Sequence, residues 1–155
     1  MSFRAAGLSP SQFEPLFALS DADLAARGIQ RMVVDEKPGF PCRVTLEDAE
    51  PGERVLLLPF EHQPAHSPYR ASGPIFVRER AAKAFDAPDI VPPVLRGRLL
   101  SLRGYDAQDC ILEADVVSGD AVEEAIAGFF ARDEVRYIHV HNAKRGCFAC
   151  RIDRA

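Results

Sequence analysis

Histidine and cysteine side chains concentrate in the C-terminal segment 137–151, whose sequence is YIHVHNAKRGCFACR. A hairpin closed tightly over Lys144 and Arg145 would place His139 opposite Cys150. A thiol beside an imidazole can act as a nucleophile with its own base. Cys150 is therefore the candidate catalytic nucleophile and His139 the candidate base. The alternative is a cross-strand contact that only packs.

The same hairpin register distributes the other side chains over two faces. Because strand side chains alternate, His141 and Phe148 would share a face with Cys150, whereas Cys147 would lie on the opposite face with Asn142. In extended conformation, Cys147 and Cys150 therefore cannot close a disulfide or bind one metal ion. A redox Cys-x-x-Cys normally begins a helix, and the residues after Cys150 have the pattern of a strand.

If the segment between Cys147 and Cys150 were bent, the two thiols could bind a metal ion, and zinc is the metal that we would expect. A Cys-x-x-Cys is one half of common zinc sites, but a second such pair is absent from the sequence, since Thr45 stands three residues after Cys42. We expect no metal and no other cofactor, with the cysteines as small, semi-buried sheet residues. If zinc were bound, its ligands would be Cys42, His139, Cys147 and Cys150.

A second group of candidate side chains lies in residues 61–74, EHQPAHSPYRASGP, which we expect to form a long irregular loop. An arginine fork, hydroxyls and imidazoles beside a glycine are typical of a pocket for a carboxylate or phosphate. The alternative is a surface loop in which Arg70 pairs with Glu61 or Glu79. The candidate ligand-binding residues, two of which belong to the C-terminal hairpin, are His62, His66, Tyr69, Arg70, Ser72, His141 and Asn142.

Hydrophobic periodicity predicts the elements that position these residues. The first thirty residues are expected to be helical, with short helices capped by Ser9 and Ser20 before Gly28. The run 54–60 lacks polar alternation, which predicts a central strand with residues 55–58 all buried. The predicted strands span residues 29–35, 43–46, 54–60, 75–78, 95–105, 109–117, 135–141 and 147–153.

Two helices are expected after residue 78. A short helix is predicted over residues 79–85, and an amphipathic helix begins at a capping pair formed by Asp120 and Glu123. Its apolar face is formed by Val122, Ile126, Phe129 and Phe130. The order of elements predicts an α+β fold, with a mainly antiparallel sheet, short N-terminal helices and one amphipathic helix before a C-terminal β-hairpin.

Composition restricts the class of protein. The chain has 155 residues and a net charge of −4 at pH 7, which predicts one globular domain over 1–155. The acidic balance argues against nucleic acid as the main partner. No apolar run approaches the roughly 18 residues of a membrane span, so we expect no membrane partner. Without an apolar export signal, we expect a cytoplasmic protein with reduced thiols.

Four motifs carry a resemblance to a known family. They are PGFPCR at 38–43, LEDAEPGE at 46–53, SPYRASGPIF at 67–76 and GCFACR at 146–151. With them, the chain resembles the small bacterial family known as domain of unknown function 1203 over essentially its whole length. The resemblance implies a bacterial, cytoplasmic, single-domain protein. Because the family has no established activity, it supplies no catalytic residues.

Two functions of different classes follow from these observations. The first is a small-molecule or anion-binding domain, of which an enzyme is one form. Its pocket would lie where the 61–74 loop meets the C-terminal hairpin. The second is a protein-interaction module, for which a homodimer is one arrangement, with structural cysteines and histidines or a structural zinc site.

Overall fold

Within residues 2–155, the part of the chain that this computed structural model describes, nine strands form two antiparallel sheets. The α+β fold and the C-terminal hairpin are confirmed. The strands are β1 (Phe3–Ala6), β2 (Gln30–Val33), β3 (Arg54–Gln63), β4 (Ala71–Arg78), β5 (Asp86–Pro88), β6 (Leu99–Tyr105), β7 (Ile111–Ser118), β8 (Tyr137–Asn142) and β9 (Phe148–Arg154). The α-helices are α1 (Asp21–Ala26) and α2 (Val122–Phe130), and short 3-10 helices cover Pro10–Gln12, Glu14–Ala18, Pro93–Leu95 and Gly119–Ala121.

The larger sheet has the order β5-β1-β9-β8-β6-β7, and the smaller sheet has the order β2-β3-β4. Both β7 and β8 pair antiparallel with β6. They therefore run parallel to each other, and α2 forms the crossover between them. None of the helices in residues 2–155 is long and apolar enough to cross a membrane.

Helix α2 covers one face of the larger sheet. The four apolar residues that the sequence assigns to its inner face are all buried. Gly104 in β6 allows this close packing, because a Cβ there would lie 2.9 Å from a ring carbon of Phe129. The predicted Asp120–Glu123 capping pair is wrong: Ser118 caps the preceding 3-10 turn, and its hydroxyl accepts a hydrogen bond from the Asp120 amide.

The smaller sheet has its own apolar clusters. Leu56 and Leu58 pack with Phe13 and Leu24 from the N-terminal helices, whereas Val55 belongs to a separate cluster with Phe40. The predicted burial of residues 55–58 is confirmed at three positions, but Leu57 is only half-buried. The small sheet leaves part of one face uncovered at that point.

Residues 43–46 form a turn rather than the predicted strand. The Leu46 amide donates to the Cys42 carbonyl at 3.0 Å, and Leu46 has a φ of +52°. Val44 and Leu46 are both buried as their alternation predicts, but they enter different clusters, one under each sheet. The apolar spacing therefore reflects two cores on either side of one turn.

Half of residues 61–74 belong to strands, which corrects the prediction of a fourteen-residue loop. Strand β3 continues to Gln63 and β4 begins at Ala71, with a bulge after Phe60. Two prolines, Pro59 in β3 and Pro74 in β4, pair with each other. Pro59 lies beyond the part of β3 that pairs with β2, and Pro74 lies on an edge strand. At such positions the missing amide hydrogen is not needed by a neighbouring strand.

Two further segments differ from expectation. Residues 79–85 do not form a helix; instead, the Phe85 amide donates to the Val44 carbonyl and the Phe85 carbonyl accepts from the Gly7 amide. Residues 3–6, which lie in a region predicted to be helical, form β1 on the edge of β9. The alternation of buried Phe3 and Ala5 with exposed Arg4 is a strand signal that could have been recognised.

Candidate functional site

The C-terminal hairpin has the expected strands but a shifted register. His141 pairs with Phe148 as predicted, whereas a bulge between Val140 and His141 pairs His139 with Arg151 and Val140 with Cys150. The predicted pairing of His139 with Cys150 is therefore wrong. A single extra residue in one strand moves every later side chain to the opposite face.

As a result, Cys150 lies in the apolar core beneath α2 and not beside His139. Its side chain is 1% exposed and packs with Ile138, Val140 and Ile152. Burial raises the pKa of the Cys150 thiol to about 12. The structure does not bring together the thiol–imidazole pair that the sequence suggested.

The four candidate zinc ligands are also apart. Cys42 is buried in the cluster under the smaller sheet, where its sulfur accepts hydrogen bonds from the amides of Val44 and Arg78. Cys147 lies at the hairpin turn, and all four cysteines are free thiols. Among residues 2–155, no group of three or more His, Cys, Asp or Glu is arranged to hold a metal ion.

The candidate residues between 66 and 72 are on the surface. Arg70 donates to both oxygens of Glu61 at 3.0 and 3.3 Å, which is the surface ion pair that the sequence offered as the alternative. Tyr69 is 40% exposed and contacts the ring of Tyr105 edge-on. His66 and Ser72 are both exposed. A ligand-binding role for these four residues stays a prediction.

His62, a further candidate residue of the 61–74 segment, does meet the hairpin. Its ring stacks on Phe148 at 5.4 Å between centroids and contacts His141 edge-on at 4.9 Å. His139 is 6.3 Å from His62, so the three imidazoles form a cluster between the sheets. His139 and His141 are buried, and Tyr105 packs against His139.

These imidazoles are held in the neutral form. Burial, together with the neighbouring cations, lowers the pKa of His139 to about 3 and of His141 to about 4. His141 Nδ1 lies 2.9 Å from the Gly146 carbonyl oxygen, to which it donates. The cluster is therefore a neutral, mostly apolar layer that joins the two sheets.

A cavity is lined in part by the hairpin turn. It is a cleft of 430 Å³ between the hairpin turn, the segment after β2, and the start of β6. Its apolar walls come from Met32, Phe40, Phe76 and Leu99, and its polar side chains are Glu36, Arg43, Arg98, Asn142, Lys144, Arg145 and Cys147.

Arg43 reaches this cleft from the 42–47 turn and joins the two sheets. Its amide donates to the Phe76 carbonyl in β4, and its Nε donates to the Phe148 carbonyl in β9 at 2.7 Å. A guanidinium nitrogen also donates to the Pro41 carbonyl. The side chain is almost completely buried, and none of the Asp and Glu residues described forms an ion pair with it.

The charge of Arg43 is consequently costly to maintain. Burial lowers the pKa of its guanidinium below the ordinary value, and the adjacent Cys147 sulfur opposes this lowering. Arg98 differs, because Asp48 accepts two hydrogen bonds from it at 2.6 and 2.9 Å. Lys144 and Arg145 are exposed at the mouth of the cleft.

The hairpin turn fixes the last two polar side chains. The Asn142 amide donates to the Cys147 carbonyl at 2.9 Å, and Gly146, with a φ of +78°, closes the turn. Asn142 Nδ2 then donates to the Cys147 sulfur at 3.4 Å, while Asn142 Oδ1 is buried without a hydrogen-bond partner in the described residues.

Of the residues that line the cleft, the sequence identified Asn142 as a ligand-binding candidate and Cys147 only as a conditional zinc ligand. Arg43 was missed, although it stands between Cys42 and Val44 in a segment expected to be strand. An arginine flanked by residues with an apolar, buried pattern is a usable signal, since a buried arginine needs a specific partner.

The fold and cleft define an α+β protein with a positively charged site between its two sheets. The model of the family described as "Protein of unknown function (DUF1203)" matches residues 39–154, and the chain belongs to this family. All cleft residues except Met32 and Glu36 lie inside the matched range. No curated protein and no solved structure shows significant similarity to the chain.

Proposed function

We propose that this protein binds a small anionic molecule in the basic cleft. The observation that carries the proposal is Arg43, a guanidinium that is 2% exposed and has no carboxylate partner in the described residues. Buried charges in proteins are normally paired, so an unpaired one at the wall of a cavity favours a bound anion.

The surrounding charge supports this function. Arg98, Lys144 and Arg145 add three cations to the cleft lining, against the single carboxylate of Glu36, although the whole chain has a net charge of −4. Positive charge gathered in one concave region of an acidic protein attracts anions and repels cations. Guanidinium groups recognise carboxylate and phosphate oxygens by paired hydrogen bonds.

The apolar walls narrow the class of ligand. Phe40 and Phe76 contact each other at 5.1 Å between ring centroids and form one side of the cleft. A cavity with apolar walls and few convergent polar groups suits a molecule with an apolar body and one charged end. We therefore propose an aromatic or aliphatic carboxylate or phosphate.

Calorimetric titration of the purified protein with benzoate, phenyl phosphate and benzamide tests the proposal. Benzoate and phenyl phosphate should bind, and benzamide, which has the same ring without the charge, should bind much more weakly. K144A/R145A should weaken benzoate binding by about tenfold, because two exposed cations at the mouth are lost. Equal binding of benzoate and benzamide, or no binding of either anion, would contradict the proposal.

A matched variant controls for total charge. R27A/K83A removes two exposed cations that do not line the cleft, and it changes the net charge by the same amount. It should leave benzoate binding within about twofold of the unmodified protein, because screened charges outside the cleft contribute little. A loss equal to that of K144A/R145A would mean that net charge, and not the cleft, governs binding.

The interaction-module function stays a second proposal. Its best location is β7, an edge strand of the larger sheet on which Val116 is 56% exposed. Edge strands can pair with a second copy of the same chain. Light-scattering mass measurements on the protein and on V116K would detect such a homodimer and its loss.

A further inference from the structure

Cys147 differs from the other cysteines in accessibility. Cys42 is fully buried and Cys150 is 1% exposed, so neither sulfur can meet a dissolved molecule. Cys110 and Cys147 are both partly exposed. Of this pair, only Cys147 lines the basic cleft.

The sulfur of Cys147 accepts a hydrogen bond and lies near a buried cation. Asn142 Nδ2 donates to it at 3.4 Å, and the buried Arg43 guanidinium lies close enough for the two charges to interact. Donors and a cation that face a sulfur stabilise the thiolate, which is the nucleophilic form. At Cys110 the contact is the reverse, because that thiol donates to the Gln108 carbonyl at 3.7 Å.

The position of Cys147 is also fixed before any ligand arrives. Backbone hydrogen bonds hold the turn on both sides of it, from the Asn142 amide at 2.9 Å and from the Gly146 amide to the Asn142 carbonyl at 2.7 Å. His141 donates to the carbonyl of Gly146, the residue directly before Cys147. A nucleophile held in a rigid turn loses little freedom when it reacts.

We infer that Cys147 is a nucleophilic thiol that forms a covalent bond with anionic electrophiles bound in the cleft. The thiol gives its proton to solvent, and the thiolate attacks an electrophilic carbon of the ligand. A sulfur–carbon bond forms while the leaving group departs with its electron pair. The anionic end of the ligand lies among the cations of the cleft, and this part of the inference rests on the proposed function.

Two alkylating agents with the same chemistry test both parts. Iodoacetamide is neutral, iodoacetate carries a carboxylate, and each transfers its two-carbon group to the thiolate with release of iodide. The rate at each cysteine is measured by peptide mass spectrometry on the folded protein at pH 7. Cys110 in the same sample provides the internal reference.

We expect iodoacetamide to modify Cys147 about tenfold faster than Cys110, because Asn142 Nδ2 and the Arg43 guanidinium face its sulfur and the turn holds it in place. We also expect the ratio of iodoacetate rate to iodoacetamide rate to be several-fold higher at Cys147 than at Cys110. N142A should slow modification of Cys147 by both reagents, and C110S should not. K144A/R145A should lower only the iodoacetate preference.

The outcomes separate the inference from the proposed function. If Cys147 reacts no faster than Cys110 with iodoacetamide, the nucleophile is wrong, and benzoate binding still decides the proposed function. If Cys147 reacts fast but shows no preference for iodoacetate, the anionic electrophile and the anion-binding cleft are both contradicted. If N142A is folded by circular dichroism and reacts unchanged, Asn142 does not activate the thiol.

Discussion

At the scale of single residues, the ion pairs of this protein differ in what surrounds them. The Arg98–Asp48 pair is largely buried, with side chains 20% and 11% exposed, whereas the Arg70–Glu61 pair is 57% and 40% exposed. Solvent screens an exposed pair and leaves it with little net energy. A buried charge that loses its partner is not compensated by water.

These two pairs give a matched stability prediction. D48A should lower the free energy of unfolding by about 2–4 kcal/mol, because Arg98 would keep its charge without a partner. E61A should lower it by less than about 1 kcal/mol. Urea denaturation of both variants measures the difference. Equal losses of unfolding free energy would show that burial does not increase the contribution of the Arg98–Asp48 pair to stability.

The buried histidines predict a pH dependence. Their pKa values in the folded protein, about 3 for His139 and about 4 for His141, lie below the ordinary value of 6.5. The stability they contribute is therefore complete above about pH 6.5 and is lost as the pH falls toward 4 for His141 and toward 3 for His139, since the unfolded chain binds protons first. The folded protein should therefore be stable at neutral pH and should unfold more readily in acid.

A variant isolates this effect from the titration of carboxylates. Between about pH 6 and 4, H139Q should remove roughly 1.4 kcal/mol per pH unit from the slope of unfolding free energy against pH, the contribution of one proton. Urea denaturation at several pH values gives both slopes. Parallel curves for H139Q and the unmodified protein would contradict a buried neutral His139.

At the scale of elements, β3 shows that the burial of one strand face can change along its length. Val55 is fully buried against Phe40, while Leu57 is half-buried beside a shallow groove. The side chains of both residues point to the same face of the strand, but only Val55 is completely covered by neighbouring residues. Coverage of a strand therefore changes within three residues.

This difference leads to a prediction at the element scale. V55D should lower the free energy of unfolding by about 3–5 kcal/mol, because an unpaired carboxylate would be buried. L57D should cost clearly less, since its carboxylate can reach water from the groove. Thermal or urea unfolding distinguishes them, and a cost below about 1 kcal/mol for V55D would show that the cluster around Phe40 is not a core.

At the scale of the whole molecule, charge is divided unevenly. The net charge is −4, yet the cleft lining has four cations and one carboxylate. The two sheets meet at this cleft and at the imidazole layer, where Gln63 also donates to the Tyr137 hydroxyl at 3.0 Å. The positive site therefore lies at the junction on which the tertiary structure depends.

Salt should affect anion binding accordingly. Raising ionic strength from about 0.01 M to about 1 M shortens the screening length from roughly 30 Å to 3 Å. Benzoate affinity should fall across this range, because Lys144 and Arg145 attract the anion from a distance. Calorimetric titration at several NaCl concentrations measures it, and a salt-independent affinity would place the binding site outside the basic cleft.

Local pattern was sufficient for several elements. The inner face of α2, the burial of Leu56 and Leu58, the Ser20 cap and the existence of the C-terminal hairpin all follow from neighbouring residues. Such features depend on periodicity and capping, which are properties of short stretches of chain. The sequence alone therefore determined the α+β class and most of the strands around the site.

Only the tertiary structure decided which side chains form the site. The bulge in the last hairpin sends Cys150 into the core, and the 42–47 turn brings Arg43 to the Phe148 carbonyl across 105 residues of sequence. A bulge depends on how the strand fits its neighbours, and a contact between distant residues depends on how the two sheets pack. Neither leaves a periodic signal, so Arg43 and Cys147 meet in the cleft although no local pattern connects them.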